Sequence, residues 1–465
     1  MKKERKSQIS HFFFVLFAII PAIIAGIITY SPDKPPKRNP VILISVDTLR
    51  ADHLASYGYS RPTGPNLDRL ADESAVFERA FSQSPNTIIS HATMLTSLHP
   101  IVHGVTPEYK LGPSLTTLAE YFKKAGYKTG GFTTHKDWLC ERMGFAQGFD
   151  AFYSEYVNAY TVNQQVFNFL RENQDEEFFL FIHYYDVHSD FTDLPYQTHT
   201  DYDNAFCKDY KGDFTGCGNG VCASEYLKEL NKAGTPLLNQ DLQYIIDLYD
   251  GGILYTDHHV GQLLEKLKEL EIYDETMIVV TADHGEEFRE HGHFLHEQLY
   301  DETMHVPLII KFPFQKTIGH YPQIAGVIDI MPTILDTSGI PHQGLQGISL
   351  LPILKGTESH GHPAFSTLKE TGSYKADYIS VRNGAYSFFT WDRFAQSDLF
   401  NLKTDPEETA DLSAQDTGIA GAMLKLARQY YQLNYKARNR LKNKRTKVTQ
   451  SAEATKRLKS LGYLN

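Results

Sequence analysis

Short apolar runs alternate with longer amphipathic stretches along most of the chain. The apolar runs have the length and residue content of buried strands and cover residues 41–46, 75–81, 129–133, 178–183, 277–281 and 306–312. Between them, apolar residues recur about every 3.6 positions, as in a helix with one buried face, over residues 114–125, 162–173 and 242–270. Strands that alternate with helices predict an α/β fold with a mostly parallel central sheet.

The pattern changes towards the C-terminus. Residues 378–381 and 385–389 alternate apolar and polar positions on either side of the turn Arg382-Asn383-Gly384, which is typical of a β-hairpin. Helical periodicity follows at about 419–444 and 452–461. This region is therefore expected to form a separate α+β subdomain with a small antiparallel sheet and basic helices.

The N-terminus has the features of a membrane anchor. Residues 12–30 carry no charged side chain and are long enough, as a helix, to cross one bilayer core. The basic residues before them are expected to stay in the cytoplasm. A cleaved signal peptide is the alternative. The chain is thus divided into a basic cytoplasmic tail at 1–10, a transmembrane anchor at 11–30, a linker at 31–38, a large domain at 39–356 and the C-terminal subdomain at 357–465.

This anchor predicts a single-pass membrane protein whose main part lies outside the cytoplasm, in the periplasm or at the cell surface. A second basic region, from Lys436 to Lys447, contains lysine and arginine but no acidic residue. It is either a solvated helix face or a surface that contacts anionic lipid.

Composition limits the possible classes of protein. A chain of 465 residues with 42% hydrophobic content can bury a large core, so disorder is not expected. Its formal net charge of -11 argues against nonspecific nucleic-acid binding. Cys207, Cys217 and Cys222 lie in one polar insertion, apart from Cys140. Outside the cytoplasm a local disulfide is expected there; its pairing is left open, and a zinc knot is the alternative.

Acidic and imidazole side chains follow three of the predicted strands. Asp47, the segment 183–188 and the pair Asp283-His284 stand at or just past strand ends. Ligands of open parallel sheets bind beyond the carboxyl ends of the strands, so these residues are expected to meet at one edge. Thr87, just before a predicted helix, supplies a hydroxyl. A hydroxyl nucleophile beside metal ligands predicts covalent transfer of a phosphoryl or sulfuryl group at a metal site.

Several segments, in order, resemble the sulfatase family of the alkaline phosphatase superfamily. One of them is Ala282-Asp283-His284-Gly285-Glu286, and the whole set covers residues 41–52, 57–68, 84–96, 126–130, 183–188, 282–286, 306–309, 329–335 and 398–409. The resemblance implies an alkaline-phosphatase-like α/β/α sandwich. It also implies that residues 39–356 form the catalytic domain of a metal-dependent hydrolase of ester bonds.

The chain departs from the family pattern at the nucleophile and at the metal ligands. Sulfatases form a formylglycine from Cys or Ser in a Cys/Ser-x-Pro-x-Arg motif, but Thr87, Ile89 and His91 replace the Cys or Ser, the Pro and the Arg. Thr48 and His284 replace an Asp and an Asn that bind calcium in the family. An imidazole in place of an oxygen ligand moves the metal preference from calcium towards zinc or manganese.

A second resemblance concerns the phosphodiesterase and phosphoethanolamine transferase branches of the superfamily. The run Asp283-His284-Gly285-Glu286 with the later Leu295-His296 is similar to the transferase pattern, and His188 falls near another functional histidine of that branch. These resemblances imply one or two divalent ions, with zinc favoured and manganese or calcium as alternatives. The implied metal ligands are Asp47, Asp283, His284 and His296.

The remaining candidates receive catalytic roles from the same resemblance. Thr87 would be the nucleophile and His91 would orient the substrate anion. His188 would contact the substrate oxygens and the leaving group, or hold a second ion together with His296. His183, inside a predicted strand, is expected to be buried behind the site. Left open are His135, Lys136 and His293.

Three functional hypotheses follow. The first is a membrane-anchored, metal-dependent ester hydrolase that acts through Thr87, with phosphate mono- and diesters favoured over sulfate esters. The second is a transferase that moves phosphoethanolamine or phosphoglycerol onto an envelope glycan or lipid. The third is a non-catalytic binding domain. In the first, the partners are the ester substrate and the membrane, and no nucleic acid is involved.

Overall fold

The computed structural model describes residues 38–190, 192, 194–216, 223–234, 237–359, 361–369, 377–441, 446–449 and 455. The predicted anchor at 11–30 lies outside these ranges, as does nearly all of the predicted helix at 452–461. Among the described residues, no helix combines the length and apolar character that a membrane span requires.

A nine-stranded mixed sheet forms the centre of the described chain. From one edge to the other, its strands are Gly319–Gly326, Ala75–Phe81, His305–Val306 together with Leu308–Lys311, Met277–Ala282, Val41–Val46, Phe178–Tyr184, Lys128–Thr133 and Ala151–Ser154. Only His305–Val306 and Leu308–Lys311 run antiparallel to the strands beside them in this described sheet. The predicted α/β class with a mostly parallel sheet is confirmed.

The predicted strand at 306–312 is divided into two by Pro307, which has no N–H to donate. The pairing along Ala75–Phe81 shifts by one residue across this proline, from Val306 opposite Ala80 to Ile309 opposite Val76. The sequence pattern predicted the apolar run but not the break.

Helices cover both faces of the sheet. Val41–Val46 is buried at every residue, and successive strand residues point to opposite faces, so neither face is open to solvent. The described helices are Pro65–Asp72, Thr87–Thr96, Pro100–His103, Leu118–Lys124, Ala159–Asn173, Thr200–Cys207, Ala223–Ala233, Asn239–Glu269, Asp301–Met304, Ile330–Thr337, Leu351–Leu354 and Thr417–Arg440.

Capping sets where the predicted helices begin. The helix expected at 114–125 begins at Leu118, because Thr117 forms a capping box with Glu120. The Thr117 hydroxyl accepts from the Glu120 N–H, and the Glu120 carboxylate accepts from the Thr117 N–H. Apolar periodicity locates a helix, whereas the polar bonds of its first turn fix its first residue.

The predicted hairpin is part of a four-stranded antiparallel sheet. Its strands, in spatial order, are Ala364–Leu368, Tyr378–Asn383, Tyr386–Trp391 and Gln396–Asn401. Gly384 takes the left-handed conformation that the turn needs, with φ of +59°. One face of the sheet packs on the helix Thr417–Arg440, where Val381 and Phe388 meet Met423. The domain boundary at 356/357 stays a prediction.

The structure tests the predicted disulfide only in part, because two of the four cysteines lie among the described residues. Cys140 is buried and Cys207 is partly exposed, and both are free thiols among the described residues. Cys217 and Cys222 lie outside the described residues. A disulfide within the polar insertion therefore stays a prediction.

Candidate active site and metal centre

Three adjacent parallel strands deliver the predicted site residues to one edge of the central sheet. Val46 pairs with Tyr184 on one side and with Ala282 on the other. Asp47 and Asp283 therefore leave the sheet side by side, and the segment after Tyr184 leaves beside them. The structure shows the convergence that the strand ends predicted.

Asp47, Asp283 and His284 form a buried cluster whose possible ligand atoms all lie within 4.8 Å of one another. Nε2 of His284 is 3.4 Å from Oδ2 of Asp283 and 4.0 Å from Oδ1 of Asp47. All three side chains are inaccessible to solvent. Two carboxylates and one imidazole at this spacing match the donor set of a divalent metal site.

Hydrogen bonds hold one oxygen of each carboxylate and leave the other facing the cluster. Oδ1 of Asp283 accepts from the N–H groups of Thr48 and His284, at 3.3 and 3.0 Å. Oδ2 of Asp47 accepts from Nε2 of His183 at 3.1 Å. The remaining oxygens, Oδ1 of Asp47 and Oδ2 of Asp283, are buried without a hydrogen-bond partner. Buried charge of this kind is costly unless a cation neutralises it, so the donor set fits a metal ion.

The tautomer of His284 supports the same interpretation. Nδ1 of His284 lies 3.0 Å from the Gly285 carbonyl oxygen, which can only accept, so Nδ1 carries the proton. Nε2 is then a free lone pair directed at the two carboxylates. Burial also lowers the pKa of His284, which favours the neutral, metal-binding form.

The two carboxylates have opposite pKa shifts. Burial and the neighbouring Asp283 carboxylate raise the pKa of Asp47 well above its usual range. Burial acts in the same direction on Asp283, but the imidazoles of His284, His91 and His183 together lower its pKa. Two carboxylates that face each other in a buried site cannot both be ionised at low cost without a cation between them.

Thr87 begins the helix Thr87–Thr96 and faces the cluster. Its hydroxyl oxygen is 3.4 Å from Nε2 of His284, and its side chain is buried. Asn86 caps the helix by accepting from the Ile89 N–H at 3.2 Å. The positive end of the helix dipole favours negative charge in this first turn. The hydroxyl thus lies beside the cluster of possible metal ligands, and the helix dipole favours an anionic oxygen at this position.

His91 lies one turn further along the same helix and is fully buried. Its Nδ1 donates to the Thr87 carbonyl at 2.7 Å, and its Nε2 accepts from the Ser45 hydroxyl at 2.9 Å. Burial lowers the pKa of His91 to about 3, so the ring is neutral. His91 ties the backbone of Thr87 to the central strand. The predicted contact with the substrate anion stays a prediction.

His188 lies on the other side of the site in a pair with Asp190. Its Nδ1 is 3.0 Å from the Asp190 carboxylate, and its ring stacks on Tyr185 with centroids 4.3 Å apart. Burial disfavours the imidazolium, but the carboxylates of Asp190, Asp47 and Glu286 together raise the pKa of His188 to about 9. The cationic ring suits a contact with an anionic ester.

His296 packs against His284, with ring centroids 4.3 Å apart, and its Nδ1 lies 3.3 Å from the Glu286 carboxylate. Burial lowers the pKa of His296 to about 3 and raises that of Glu286 to about 7. The three-residue donor groups found among the described residues do not include His296. Its predicted role as a metal ligand stays a prediction.

Comparison with models of protein families shows which family the chain belongs to. Residues 39–340 match the family model described as Sulfatase. The chain belongs to the sulfatase family. A second model, described as the C-terminal part of N-sulphoglucosamine sulphohydrolase, matches residues 289–436 of the chain. The predicted family is confirmed.

Curated relatives of the chain are ester hydrolases. It is 25% identical to an arylsulfatase of Clostridium perfringens, over 80% of this chain and 89% of that protein. It is 22% identical to a choline-sulfatase of Rhizobium meliloti, over 81% of this chain and 83% of that protein. Human arylsulfatase K is 30% identical, but over only 34% of this chain and 32% of that protein.

Solved structures show the same fold. A structure described as BT4656 in complex with its substrate D-glucosamine-2-N,6-O-disulfate has a TM-score of 0.72 at 19% identity, over 88% of this chain and all of that chain (100%). The phosphonate monoester hydrolase of Agrobacterium radiobacter has a TM-score of 0.69 at 21% identity, over 86% of this chain and 96% of that chain. The predicted alkaline-phosphatase-like sandwich and the predicted enzyme class, an ester hydrolase, are both confirmed.

The structure also reveals site residues that the sequence interpretation did not include. His183 was expected behind the site, and it does lie there, but it forms a second donor group with His91 and Asp283. Asp190 lies within hydrogen-bond distance of His188, and Glu286 lies within hydrogen-bond distance of His296. In the sheet, His183 lies opposite Ser45, and this pairing, which the sequence does not show, places it near Asp47.

The three residues left open lie at different depths. His135 is fully buried and packs against Tyr185 with ring centroids 4.7 Å apart, whereas Lys136 is exposed. His293 is partly exposed in the loop before His296. None of the three belongs to a donor group found among the described residues.

Proposed function

We propose that this sulfatase-family protein is a membrane-anchored, metal-dependent hydrolase that uses the Thr87 hydroxyl as its nucleophile and favours phosphate mono- and diesters over sulfate esters. The observation that carries the proposal is the 3.4 Å distance between the Thr87 hydroxyl and Nε2 of His284. The hydroxyl therefore adjoins the cluster that contains the two unpartnered carboxylate oxygens.

The metal site would consist of Asp47, Asp283 and His284, with His296 as a further candidate. A divalent ion held there would lower the pKa of an adjacent hydroxyl and neutralise substrate charge. Zinc is favoured because the set mixes imidazole with carboxylate, and manganese and calcium are the alternatives. One ion is enough for the described cluster, and a second would involve His188 and His296.

The reaction follows from the placement of the protein's own groups. The Thr87 hydroxyl gives up its proton to water, and its oxygen forms a bond to phosphorus while the bond from phosphorus to the ester oxygen breaks. The departing alkoxide takes up a proton from the His188 imidazolium. Nδ1 of His188 is held by Asp190, so its Nε2 is left for the substrate oxygens or the leaving group. Water then releases the phosphoryl group from Thr87.

The residue at position 87 supports phosphate over sulfate. The sulfatase route requires a formylglycine, which arises from Cys or Ser and cannot arise from threonine. A threonine hydroxyl beside imidazole and carboxylate resembles the phosphodiesterase branch instead. The fold likeness to a phosphonate monoester hydrolase is consistent with chemistry at phosphorus on this scaffold.

The test compares matched aryl esters. The zinc-loaded protein is assayed with p-nitrophenyl phosphate, bis-p-nitrophenyl phosphate and p-nitrophenyl sulfate. Thr87→Ala should lower kcat/KM for the phosphates by at least about 1,000-fold, whereas Thr87→Ser, which keeps a hydroxyl, should retain much of it. Thr93→Ala, on the same helix but bonded to Ile89 and His103, is the matched control. Sulfate turnover that survives Thr87→Ala would overturn the proposal.

The transferase hypothesis gives a different outcome in the same setting. With membranes that contain labelled phosphoethanolamine lipid, a hydrolase releases the label into water. A transferase places the label on glycan or on another lipid.

The membrane part of the proposal rests on sequence and on one described surface. The uncharged run at 11–30 would anchor the chain, with the catalytic domain outside the cytoplasm. At the other end, the helix Thr417–Arg440 leaves Leu433 exposed at 67% and Tyr435 at 50%, beside the basic stretch from Lys436 to Lys447. Apolar and basic side chains together suit the surface of an anionic bilayer.

Three measurements test this placement. Full-length protein should remain with membranes after alkaline carbonate washing, and external protease should reach its catalytic domain. Vesicles with anionic lipid should bind the protein more strongly than neutral vesicles, and Lys436→Glu with Arg440→Glu should remove the difference. Release of the protein by carbonate would contradict the anchor.

A further inference from the structure

A small cavity lies between the C-terminal sheet and the segment that leads away from His296. Its volume is about 180 Å³. Its lining includes Gln298, Tyr300, Tyr378, Phe389, Trp391 and Asp398. Pockets for drug-sized ligands occupy roughly 300–1,000 Å³, so this cavity suits one small chemical group.

Half of the residues that line the cavity are aromatic: Tyr300, Tyr378, Phe389 and Trp391. Tyr378 and Trp391, on adjacent strands, stack with centroids 5.3 Å apart and an interplanar angle of 21°. Tyr300, from the catalytic domain, meets Phe389 edge to face at 5.0 Å. The cavity thus receives rings from both parts of the chain, and electron-rich ring faces attract cations.

One carboxylate shares this aromatic surface. Asp398 lies directly opposite Phe389 in the sheet register, so the two side chains point to the same face. The described residues provide Asp398 with no hydrogen bond or ion pair. Burial and the nearby Asp411 raise the pKa of Asp398, which shows that its charge lacks a compensating partner.

The surroundings of the cavity are electronegative. Burial raises the pKa of Tyr300 to about 12, and the carboxylates that add to this shift are Asp398, Glu408, Glu287 and Glu302. Two neighbouring basic groups, Arg382 and His291, already lie near other carboxylates. Arg382 lies over the Phe389 ring at 5.8 Å but pairs with Asp301 at 2.6 Å.

His291 is the second basic group near the cavity that lies close to a carboxylate other than Asp398. Its ring stacks on Tyr300 with centroids 3.5 Å apart, and its Nε2 is 3.6 Å from the Glu302 carboxylate. Neither Arg382 nor His291 neutralises Asp398 in the described structure. A positive charge brought by a ligand would do so.

We propose that this cavity binds the ammonium group of a cationic ligand, with Asp398 as the counter-charge and the rings of Tyr378 and Trp391 as the cation–π surface. An ammonium group held by ring faces within about 6 Å and a partly buried carboxylate gains from both attractions. A neutral group of the same shape gains from neither. This binding does not depend on Thr87 or on a metal ion.

The test uses tetramethylammonium chloride as the probe and tert-butanol as its neutral counterpart, with the full-length protein at constant ionic strength. Both probes give one methyl signal, so ligand-observed NMR measures their binding directly. Saturable binding of tetramethylammonium and at least tenfold weaker binding of tert-butanol are expected. Asp398→Asn should weaken tetramethylammonium binding at least tenfold. The matched control, Glu172→Gln at an exposed helix position, should leave it unchanged.

Tryptophan fluorescence locates the site. The chain has two tryptophans, and Trp138 is only 2% exposed. Tetramethylammonium should change the emission of the wild type and not that of Trp391→Phe. Trp391→Ala, with a melting temperature measured beside it, provides a second binding variant if Asp398→Asn folds poorly. Thr87→Ala should bind the probe like the wild type, which separates this site from the catalytic proposal.

Three outcomes would overturn the proposal. Equal binding of tert-butanol would show an apolar cavity only. Unchanged binding in a folded Asp398→Asn or Trp391→Ala variant would exclude the assigned residues. Saturable binding of methyl glucoside with no binding of tetramethylammonium would show a site for neutral sugars.

Discussion

The hydroxyl oxygen of Thr87 lies 3.4 Å from Nε2 of His284, although 197 residues separate them in the chain. The link depends on the helix Thr87–Thr96, whose Ser90 hydroxyl donates to the Asp283 carbonyl at 2.7 Å. The nucleophile candidate and the cluster of possible metal ligands are therefore held by one packed interface between this helix and the strand Met277–Ala282. Substitutions on either side of that interface should therefore shift both the Thr87 hydroxyl and the possible metal ligands.

Asp47→Asn should remove the metal without unfolding the protein. The variant should lose at least about 100-fold in zinc affinity, since changes to groups that only support a ligand already cost about 10–100-fold. Without metal, it should be at least as stable as the wild type, because the Asn amide keeps an oxygen that can accept from His183 and cannot add a buried charge. Calorimetric zinc titration and melting temperatures check both statements.

The control for this prediction is Asp72→Asn, at an exposed position. Zinc should raise the melting temperature of the wild type and of Asp72→Asn, because a ligand that binds only the folded state stabilises it. An equal increase in Asp47→Asn would contradict the assignment of Asp47 as a ligand.

Gly285→Ala should damage the site through sterics alone. A Cβ at Gly285 would stand 2.0 Å from the Glu302 carbonyl oxygen, so the backbone between His284 and Glu286 must move. We expect a loss of about 1–3 kcal/mol in unfolding free energy and roughly 100-fold in kcat/KM for aryl phosphate. Urea unfolding and steady-state kinetics measure the two effects.

Gly418→Ala is the matched control, because a Cβ there meets nothing within 4 Å on the helix Thr417–Arg440. It should stabilise the protein by about 0.5–1 kcal/mol and leave turnover unchanged. Full activity in Gly285→Ala would show that the loop tolerates displacement of His284.

His91→Leu should lower kcat more than it changes KM. The substitution leaves the Thr87 carbonyl and the Ser45 hydroxyl without their partner, which should cost about 2 kcal/mol or more of stability. The position of the Thr87 hydroxyl is then less well fixed. A rise in KM at constant kcat would instead support the contact between His91 and the substrate anion that the sequence predicted.

His103→Leu provides the comparison, because His103 is another buried histidine bonded to the same helix, through Thr93 at 3.1 Å. It should lower stability by a similar amount with little change in kcat. Equal kinetic effects in the two variants would mean that His91 acts only through general stability.

His362 should make stability depend on pH in a defined window. Its Nε2 is 3.0 Å from the buried Asp329 carboxylate. Burial disfavours the charged ring, but Asp329 raises the pKa of His362 to about 9. Because the folded pKa is above the unfolded value of about 6.5, the stabilisation is fully present below pH 6.5 and is lost as pH rises through 9.

The difference in unfolding free energy between wild type and His362→Gln should thus be on the order of 2 kcal/mol at pH 6 and should disappear above about pH 9. His342→Gln is the control: His342 lies 2.9 Å from Asp336, whose side chain is 42% exposed, so solvent screens that pair. A constant difference for His362→Gln across pH would contradict the role of its charge.

Local patterns in the sequence were sufficient for the elements and for several site residues. Apolar runs such as 41–46 and 178–183 became central strands because full burial of a parallel sheet requires them. Asp47 and Asp283 were found because parallel strands end at a common edge. Thr87 was found from its place in a family motif.

Only the tertiary structure decided how these residues act together. That His183 bonds Asp47, that Ser90 bonds the Asp283 carbonyl, and that the Thr87 hydroxyl lies beside His284 depend on contacts between distant parts of the chain. Burial and backbone preference are encoded locally in the sequence. The direction of a lone pair and the pairing of a buried charge arise only when packing brings those distant groups together.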